Sequence, residues 1–509
     1  MTEIDPAAAQ YSPVPSPRFE QRPYGRPAVA WRPVLGVAAV TAMVHLLVAT
    51  RFGWHRDEFY YVISGRHLDW GYVDQPPLVP LLARLAADLP GGVLPLRLLA
   101  IAAEIGCVLL ASVLTAELGG HRRAQILAAA AVAACPVFVS AALFFGTTVV
   151  DQLVWVAVLV LTARALRRCS TRAWLAAGTV AGLGLQAKDT LAVLLVGIAV
   201  GVLLFRRDAL RSRGPWLACG AAVVIAAPNI IWDMRHQWAN LRMARELAEQ
   251  QGGALGALTH VPVLLVVLAG PPLIVLWYAG VRQLISRAGS EHRWLLAATV
   301  TVVLLFTVSG GRVYYAAPAL AALFAAGAVR VETAATARGR FGWPAAVATT
   351  AIIALVIGLP VLGPRASTEL RPINAQPMET YGWPRFVDQI ARAAAPLPAD
   401  APIFASNYGE AGAVTILGPA RGLHRQVLSG HNNYLLWGPP PGTPDTVLCV
   451  GQWDITYLHR FWSNVTEIAP ITLPTGLTDQ ETAQHAAIYL CTQPHGTWAQ
   501  LWPGLRHLD

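Results

Sequence analysis

From residue 33 to residue 363 the chain alternates long apolar runs with short loops that carry arginine. A window of about 19 residues, close to the length a helix needs to cross a bilayer, finds runs near 33–51, 92–117, 123–143, 149–168, 173–187, 190–206, 214–233, 259–281, 294–309, 313–330 and 341–363. The pattern predicts a polytopic α-helical membrane protein with about eleven transmembrane helices. The pair at 173–187 and 190–206 is the shortest. After residue 363 the runs shorten, Pro, Gly, Asn and His rise, and strand-like stretches such as APIFAS, DTVLCVG and AAIYLCT stand between turn signals, which predicts an α/β or α+β domain over 364–509. Residues 1–32 are rich in Pro, Ser and Arg and hold no apolar stretch of signal-peptide type. They read as a disordered tail, with the first span as the insertion signal.

Composition agrees with a life in lipid: 55% of residues are hydrophobic and 13% charged, against roughly 25% charged in a soluble domain. The 38 basic and 29 acidic residues give a net charge of +9. In a soluble protein that excess suggests nucleic acid, but no nucleic-acid-binding motif accompanies it. The arginines instead cluster between spans and orient the chain. With the N-terminus inside, Arg18, Arg22, Arg26, Arg32, Arg122, Arg123, Arg164, Arg167, Arg168 and Arg172 face the cytoplasm. So do Arg206, Arg207, Arg211, Arg213, Arg282, Arg287, Arg293, Arg330, Arg338 and Arg340, while the opposite loops are arginine-poor. The expected plan is a cytoplasmic tail (1–32), a transmembrane domain (33–363) with a first outer loop at 52–91, and an extracytoplasmic domain (364–509), in the plasma membrane.

The outer loop reads WHRDEFYYVISGRHLDWGYVDQPP over 54–77. An adjacent Asp57–Glu58 pair directly after a span has no packing rationale, since each charge costs a few kcal/mol if it drifts into hydrocarbon. Asp57 and Glu58 are therefore the candidate catalytic residues, and Tyr61 and Asp74 of the same loop are counted with the substrate contacts.

Lys188, in AGLGLQAKDTLAVLL, is the single lysine among the 38 basic residues. Its compact ammonium suits one phosphate oxygen in a crowded site, where a planar guanidinium fits poorly. The plain alternative is a lysine snorkelling at a helix end. Asp151 opens a span and reads equally as a charge favoured by the helix dipole. In PNIIWDMRHQW, Arg235 and His236 are candidate contacts, although aromatic and charged residues at a helix end also serve as interfacial anchors. Arg312, beside Tyr314 and Tyr315, is an arginine on the arginine-poor side and needs an anionic partner; the tyrosines alone would read as an interfacial belt.

Four cysteines, Cys107, Cys135, Cys169 and Cys219, lie in or beside spans as small apolar packing residues. Cys449 and Cys491 fall in strand-like runs of the outer domain, where either a disulfide or two buried thiols is consistent with the sequence. No CxxC, HExxH, Walker or GxGxxG context is present, so neither nucleotide nor metal has a motif, though the loop acids leave room for a divalent ion. Asn407, Tyr408, Glu410, His431, Asn432 and Trp437 could form a carbohydrate surface, or equally turns and core.

The strings RDEFYYVISGRHLDWGYVDQPPL, GLGLQAKD, PNIIWDMRHQW, YYAAPALAAL, NYGEAGA (407–413) and SGHNNYLLWGP (429–439) together resemble the bacterial family 39 glycosyltransferases of the GT-C fold. Those are relatives of the protein O-mannosyltransferases and of the lipid A aminoarabinose transferase. The resemblance implies a polyprenyl-phosphate sugar donor, and an extracytoplasmic acceptor that is protein, lipid or glycan. It maps the proposed base onto Asp57 and the second acidic motif onto Asp74. Relatives with Glu-Lys-Pro at the second motif place a lysine near the donor phosphate; this chain has Gln75 there. Lys188 matches a separate lysine after a Gly-Leu-rich span and is the candidate to supply that charge. A flippase or transporter of a lipid-linked sugar is the alternative from another class, but such proteins usually carry internal repeats and mid-membrane charges.

Overall fold

The computed structural model describes residues 27–250, 252–334 and 337–508. The tail 1–26, with Arg18, Arg22 and Arg26, lies outside the described residues, as do the side chains of Arg338 and Arg340. The apolar runs fold as helices because hydrocarbon offers backbone N–H and C=O groups no partner, so their hydrogen bonds must close within the segment. Among the described residues, six segments are long and apolar enough to cross a membrane by themselves: Trp31–Val48, Leu94–Glu117, Thr147–Arg168, Gly214–Arg235, Ser290–Val308 and Tyr314–Thr333. Thr171–Leu185, Leu191–Phe205, Ile274–Ile285 and others are shorter, so helix length alone does not yield the count of about eleven.

Two runs expected as single spans are broken. Pro136 cannot donate to the preceding turn, and the 123–143 run divides into Arg122–Ala134 and Pro136–Ala141. The 259–281 run divides at Gly270, whose φ of +83° precedes Pro271 and Pro272 and suits glycine. Small residues let the helices approach closely: a Cβ at Gly182 would lie 2.7 Å from Ile225 of the Gly214–Arg235 helix. Large apolar side chains such as Leu47, Val224 and Val308 point outward, more than 70% exposed, as a lipid-facing surface requires.

The segment 52–91, expected as a polar loop, carries two helices, Arg56–Arg66 and Leu78–Ala87. Arg56–Arg66 starts at a cap in which His55 Nδ1 accepts from the Asp57 N–H (3.1 Å) and Glu58 Oε2 accepts from the His55 N–H (2.9 Å). This reciprocal arrangement satisfies donors that every helix start leaves open.

The C-terminal part carries the sheet: β1 (Ile403–Ala405), β2 (Val427–Ser429), β3 (Thr446–Gly451), β4 (Trp462–Pro470) and β5 (Ala487–Pro494), in the order β2-β1-β3-β5-β4. β1 runs parallel to β2 and β3, whereas β5 is antiparallel to β3 and β4. The helix Tyr408–Leu417 crosses from β1 to β2 and lies on Arg56–Arg66, with Gly412 so close that a Cβ would sit 2.5 Å from that of Phe59. Cys449 and Cys491 are free thiols, buried, with sulfurs 3.1 Å apart across β3 and β5.

Candidate functional site

Asp57 and Glu58 share one helical turn and face different surroundings. Glu58 is fully enclosed: Oε2 accepts from Arg97 (2.9 Å) as well as from His55, and Oε1 accepts from the Phe145 N–H (3.0 Å). Burial raises its carboxyl, and the Arg97 charge opposes that rise. Both oxygens of Glu58, expected as a catalytic residue, are hydrogen-bonded inside the protein, so its side chain holds the helix start. Asp57 keeps 27% of its side chain exposed. Its Oδ1 accepts from the Tyr408 hydroxyl at 2.9 Å.

Asp74 accepts from the Tyr60 hydroxyl (2.9 Å) and from Asn432 Nδ2 (3.0 Å). Burial pushes its carboxyl up to about 7, against the pull of those two hydrogen bonds. Tyr60 stacks on Tyr408 with ring centroids 4.5 Å apart. The two acids are thereby joined through a pair of stacked phenols, one from the first outer loop and one from the C-terminal domain. Tyr61 is buried beside them, its ring against Gly146 and its hydroxyl near Thr147.

Asp74 and Thr147 also line a cavity of about 850 Å³, which Lys188 enters from one further segment and Arg312 and Tyr315 from another. Lys188 Nζ donates to Thr148 Oγ1 (3.0 Å) and lies 5.1 and 5.3 Å from the ring centroids of Tyr315 and Tyr314. The Arg312 Nε is buried and unbonded. Gln75 lines the same wall, both polar atoms of its amide buried without a partner. Asp189, Asp233, Glu249 and Arg245 also line it among apolar side chains, and the Lys188 ammonium and Arg312 guanidinium on its wall suit an anionic headgroup with a hydrocarbon tail.

Asp151 does not stand free toward this cavity. It accepts from Trp155 Nε1 (2.9 Å) and the Thr190 hydroxyl (2.8 Å), tying two helices together. Arg235 and His236 are not brought to it either. Arg235 is exposed, and His236 stacks on Trp232 (3.8 Å) at a separate cleft of about 470 Å³ that Arg66 and Trp437 also line. Among the described residues, no three His, Cys, Asp or Glu side chains gather as a metal-holding group, so the loop acids form no three-ligand site for a divalent ion.

Sequence reasoning missed Tyr60, Arg97 and Arg245. Arg97 is 3% exposed within an apolar run, and a charge there demands a partner; that signal was available. Arg245, in the helix Ala239–Gln250, lines the cavity. It lies on the same arginine-poor side that singled out Arg312. Tyr60 carries no sequence signal beyond its place in the motif.

With this geometry established, three comparisons bear on it. Residues 74–232 match the family model described as dolichyl-phosphate-mannose-protein mannosyltransferase. Lipid A galacturonosyltransferase RgtD of Rhizobium johnstonii is 25% identical over 271 residues, which cover 50% of this chain and 54% of that protein; the chain thus spans about half the length of this curated relative. ArnT from Cupriavidus metallidurans, solved bound to undecaprenyl phosphate and in the apo state, superposes with TM-scores of 0.58 and 0.59 at 15% and 16% identity, covering 90% of this chain and 97% of ArnT. The fold is therefore that of ArnT, helical with a C-terminal sheet domain. Residues 74–232 are similar to the dolichyl-phosphate-mannose-protein mannosyltransferases.

Proposed function

We propose that this protein transfers a sugar from a polyprenyl-phosphate donor to an acceptor on the outer side of the membrane, with inversion. The observation that carries the reading is the convergence of Lys188 and Arg312 on one partly apolar cavity whose wall also holds Asp74, with Asp57 joined to Asp74 through Tyr60 and Tyr408. The donor phosphate would lie against the two cations, with Arg245 nearby, and the prenyl chain along the apolar lining. Asp57 takes the acceptor hydroxyl proton as that oxygen bonds to the anomeric carbon. The carbon's bond to phosphate breaks, and polyprenyl phosphate leaves with the electron pair. Charge grows on the leaving phosphate, so fixed cations stabilise the transition state more than the ground state. Asp74 orients a sugar hydroxyl. Tyr61 and Tyr315 shape the wall, and Glu58 acts through the helix it pins.

The arginine pattern supports a plasma-membrane orientation with the N-terminus inside, and with the first outer loop and residues 364–509 outside. Purified protein in nanodiscs, given a panel of polyprenyl-phosphate hexoses and pentoses with membrane-extract acceptors, should yield a product heavier by one sugar in mass spectrometry. Failure with every donor, together with movement of the lipid-linked sugar across a vesicle bilayer, would instead support the flippase reading.

A further inference from the structure

The C-terminal sheet has its own crevice, apart from the cavity above. β1 leads to β2 on one side, and β3 returns on the other, so the chain reverses direction between β1 and β3. In open α/β sheets such a switch point opens a cleft beyond the carboxyl ends of the strands. Here Ser406 follows β1 and Gln452 follows β3, and both line a cleft of about 250 Å³. Trp453 and Tyr457 form its aromatic wall, with ring planes 6° from parallel. Tyr457 is fixed by its hydroxyl to the Gly504 carbonyl (2.9 Å), and Trp453 Nε1 by the Val450 carbonyl (3.0 Å). These rings are fixed further by Phe404, which stacks on Trp453 (5.3 Å), and by Arg460 over Tyr457, while the side-chain amides of Gln452 and Gln484, which line the cleft, make no hydrogen bond among the described residues.

Two guanidinium groups complete the cleft. Arg506 and Arg56 both line it, and neither forms a salt bridge among the described residues. The Nε of Arg56 is buried without a partner, although Glu379, Asp57 and Glu481 lie near enough to attract it. Arg56 packs over the Tyr408 ring at 4.6 Å, and that tyrosine donates to Asp57. The cleft thus reaches within one residue of the candidate base. An aromatic lining, amides without a side-chain partner and the Arg506 guanidinium, which has no salt bridge among the described residues, are what a saccharide with an anionic substituent requires: apolar contact for the ring, donors and acceptors for hydroxyls, and fork geometry for carboxylate or phosphate.

We infer that the crevice formed by Arg56, Gln452, Trp453, Tyr457, Gln484 and Arg506 is an acceptor subsite that binds an anionic sugar, carboxylated or phosphorylated, and delivers the glycan end to Asp57. This inference rests on the transferase reading above for the role of the bound sugar, but not for its binding.

The test uses the full chain in nanodiscs with three probes: trigalacturonate, glucose 6-phosphate and neutral maltotriose. Calorimetry should show at least one anionic probe binding tenfold or more tighter than maltotriose, and the preferred anion separates a carboxylated from a phosphorylated acceptor. Arg506→Gln should weaken that binding about tenfold, and Trp453→Ala should weaken it independently of charge. Thermal midpoints should stay near that of the parent. Equal binding of all three probes, or unchanged affinity in both stable variants, overturns the subsite. If anionic binding depends on Arg506 but no donor supports transfer, the subsite stands and the transferase reading fails.

Discussion

Asp57 is the residue on which the proposed chemistry turns. Asp57→Asn preserves the shape and the acceptor for the Tyr408 hydroxyl but removes the base, so turnover should drop by about two to four orders of magnitude while donor binding survives. Near-parental transfer by the purified variant would move the base elsewhere. In the proposed reaction Lys188 serves the donor side. Lys188→Ala should weaken donor affinity and rate together, and Lys188→Arg should restore little. The ammonium is wedged between Thr148 and two tyrosine rings, where a planar fork does not fit. Asp74 supplies the pH dependence. Its carboxyl is raised to about 7, so it is protonated below that pH and ionised above it, when both oxygens can accept as they do from Tyr60 and Asn432. The rate should climb through about pH 7, and Asp74→Asn should remove that limb from the profile. The same shift means the folded state holds a proton that the unfolded chain releases, so this group's contribution to stability falls as pH rises from the ordinary carboxylate range toward about 7.

At the scale of elements, the Arg56–Arg66 helix is what places Asp57, and two contacts hold it. The Glu58–Arg97 pair at 2.9 Å is buried on both sides. Removing one partner leaves an uncompensated buried charge, which typically costs about 3–5 kcal/mol. Arg97→Met should therefore lower the thermal midpoint, and a second change, Glu58→Met, should recover part of that loss. If the double variant is no more stable than the single, the pair is not the anchor. The second contact is the close approach of Gly412 to Phe59. The motif strings marked both segments without indicating that they touch. Sequence separation hides such contacts: residues 59 and 412 meet only because the β1-to-β2 crossover helix is laid against the first outer loop. Tyr408 and Asn432 were noted as carbohydrate surface or turn residues for the same reason, and the structure turns them onto Asp57 and Asp74.

At the scale of the whole molecule, orientation and redox state give the remaining predictions. A reporter fused after Asp509 should register the extracytoplasmic side, as the arginine distribution requires; an inside signal would mean the number of crossings is even. Cys449 and Cys491 are thiols in contact, so the unfolded protein should label at both positions with a thiol reagent before any reduction. Labelling only after reduction would place a disulfide there.

What the sequence alone determined is what local physics enforces. A bilayer imposes helix on long apolar runs, turn signals and short β-rich stretches announced β1, β3 and β5 but not β2 or β4, and charges with no packing rationale, Asp57, Lys188 and Arg312, stood out against an apolar background. Tertiary structure decided the roles within that set. Asp57 and Glu58 are indistinguishable as neighbours in sequence, yet one turns toward Tyr408 and the other is sealed against Arg97, because successive residues on a helix point about 100° apart. Arg235 and Arg312 carry the same charge near the same face, but only Arg312 is brought to the cavity wall, since the end of its helix leaves Arg235 facing solvent. Which charges converge depends on contacts between segments hundreds of residues apart, and no periodicity in one chain encodes those.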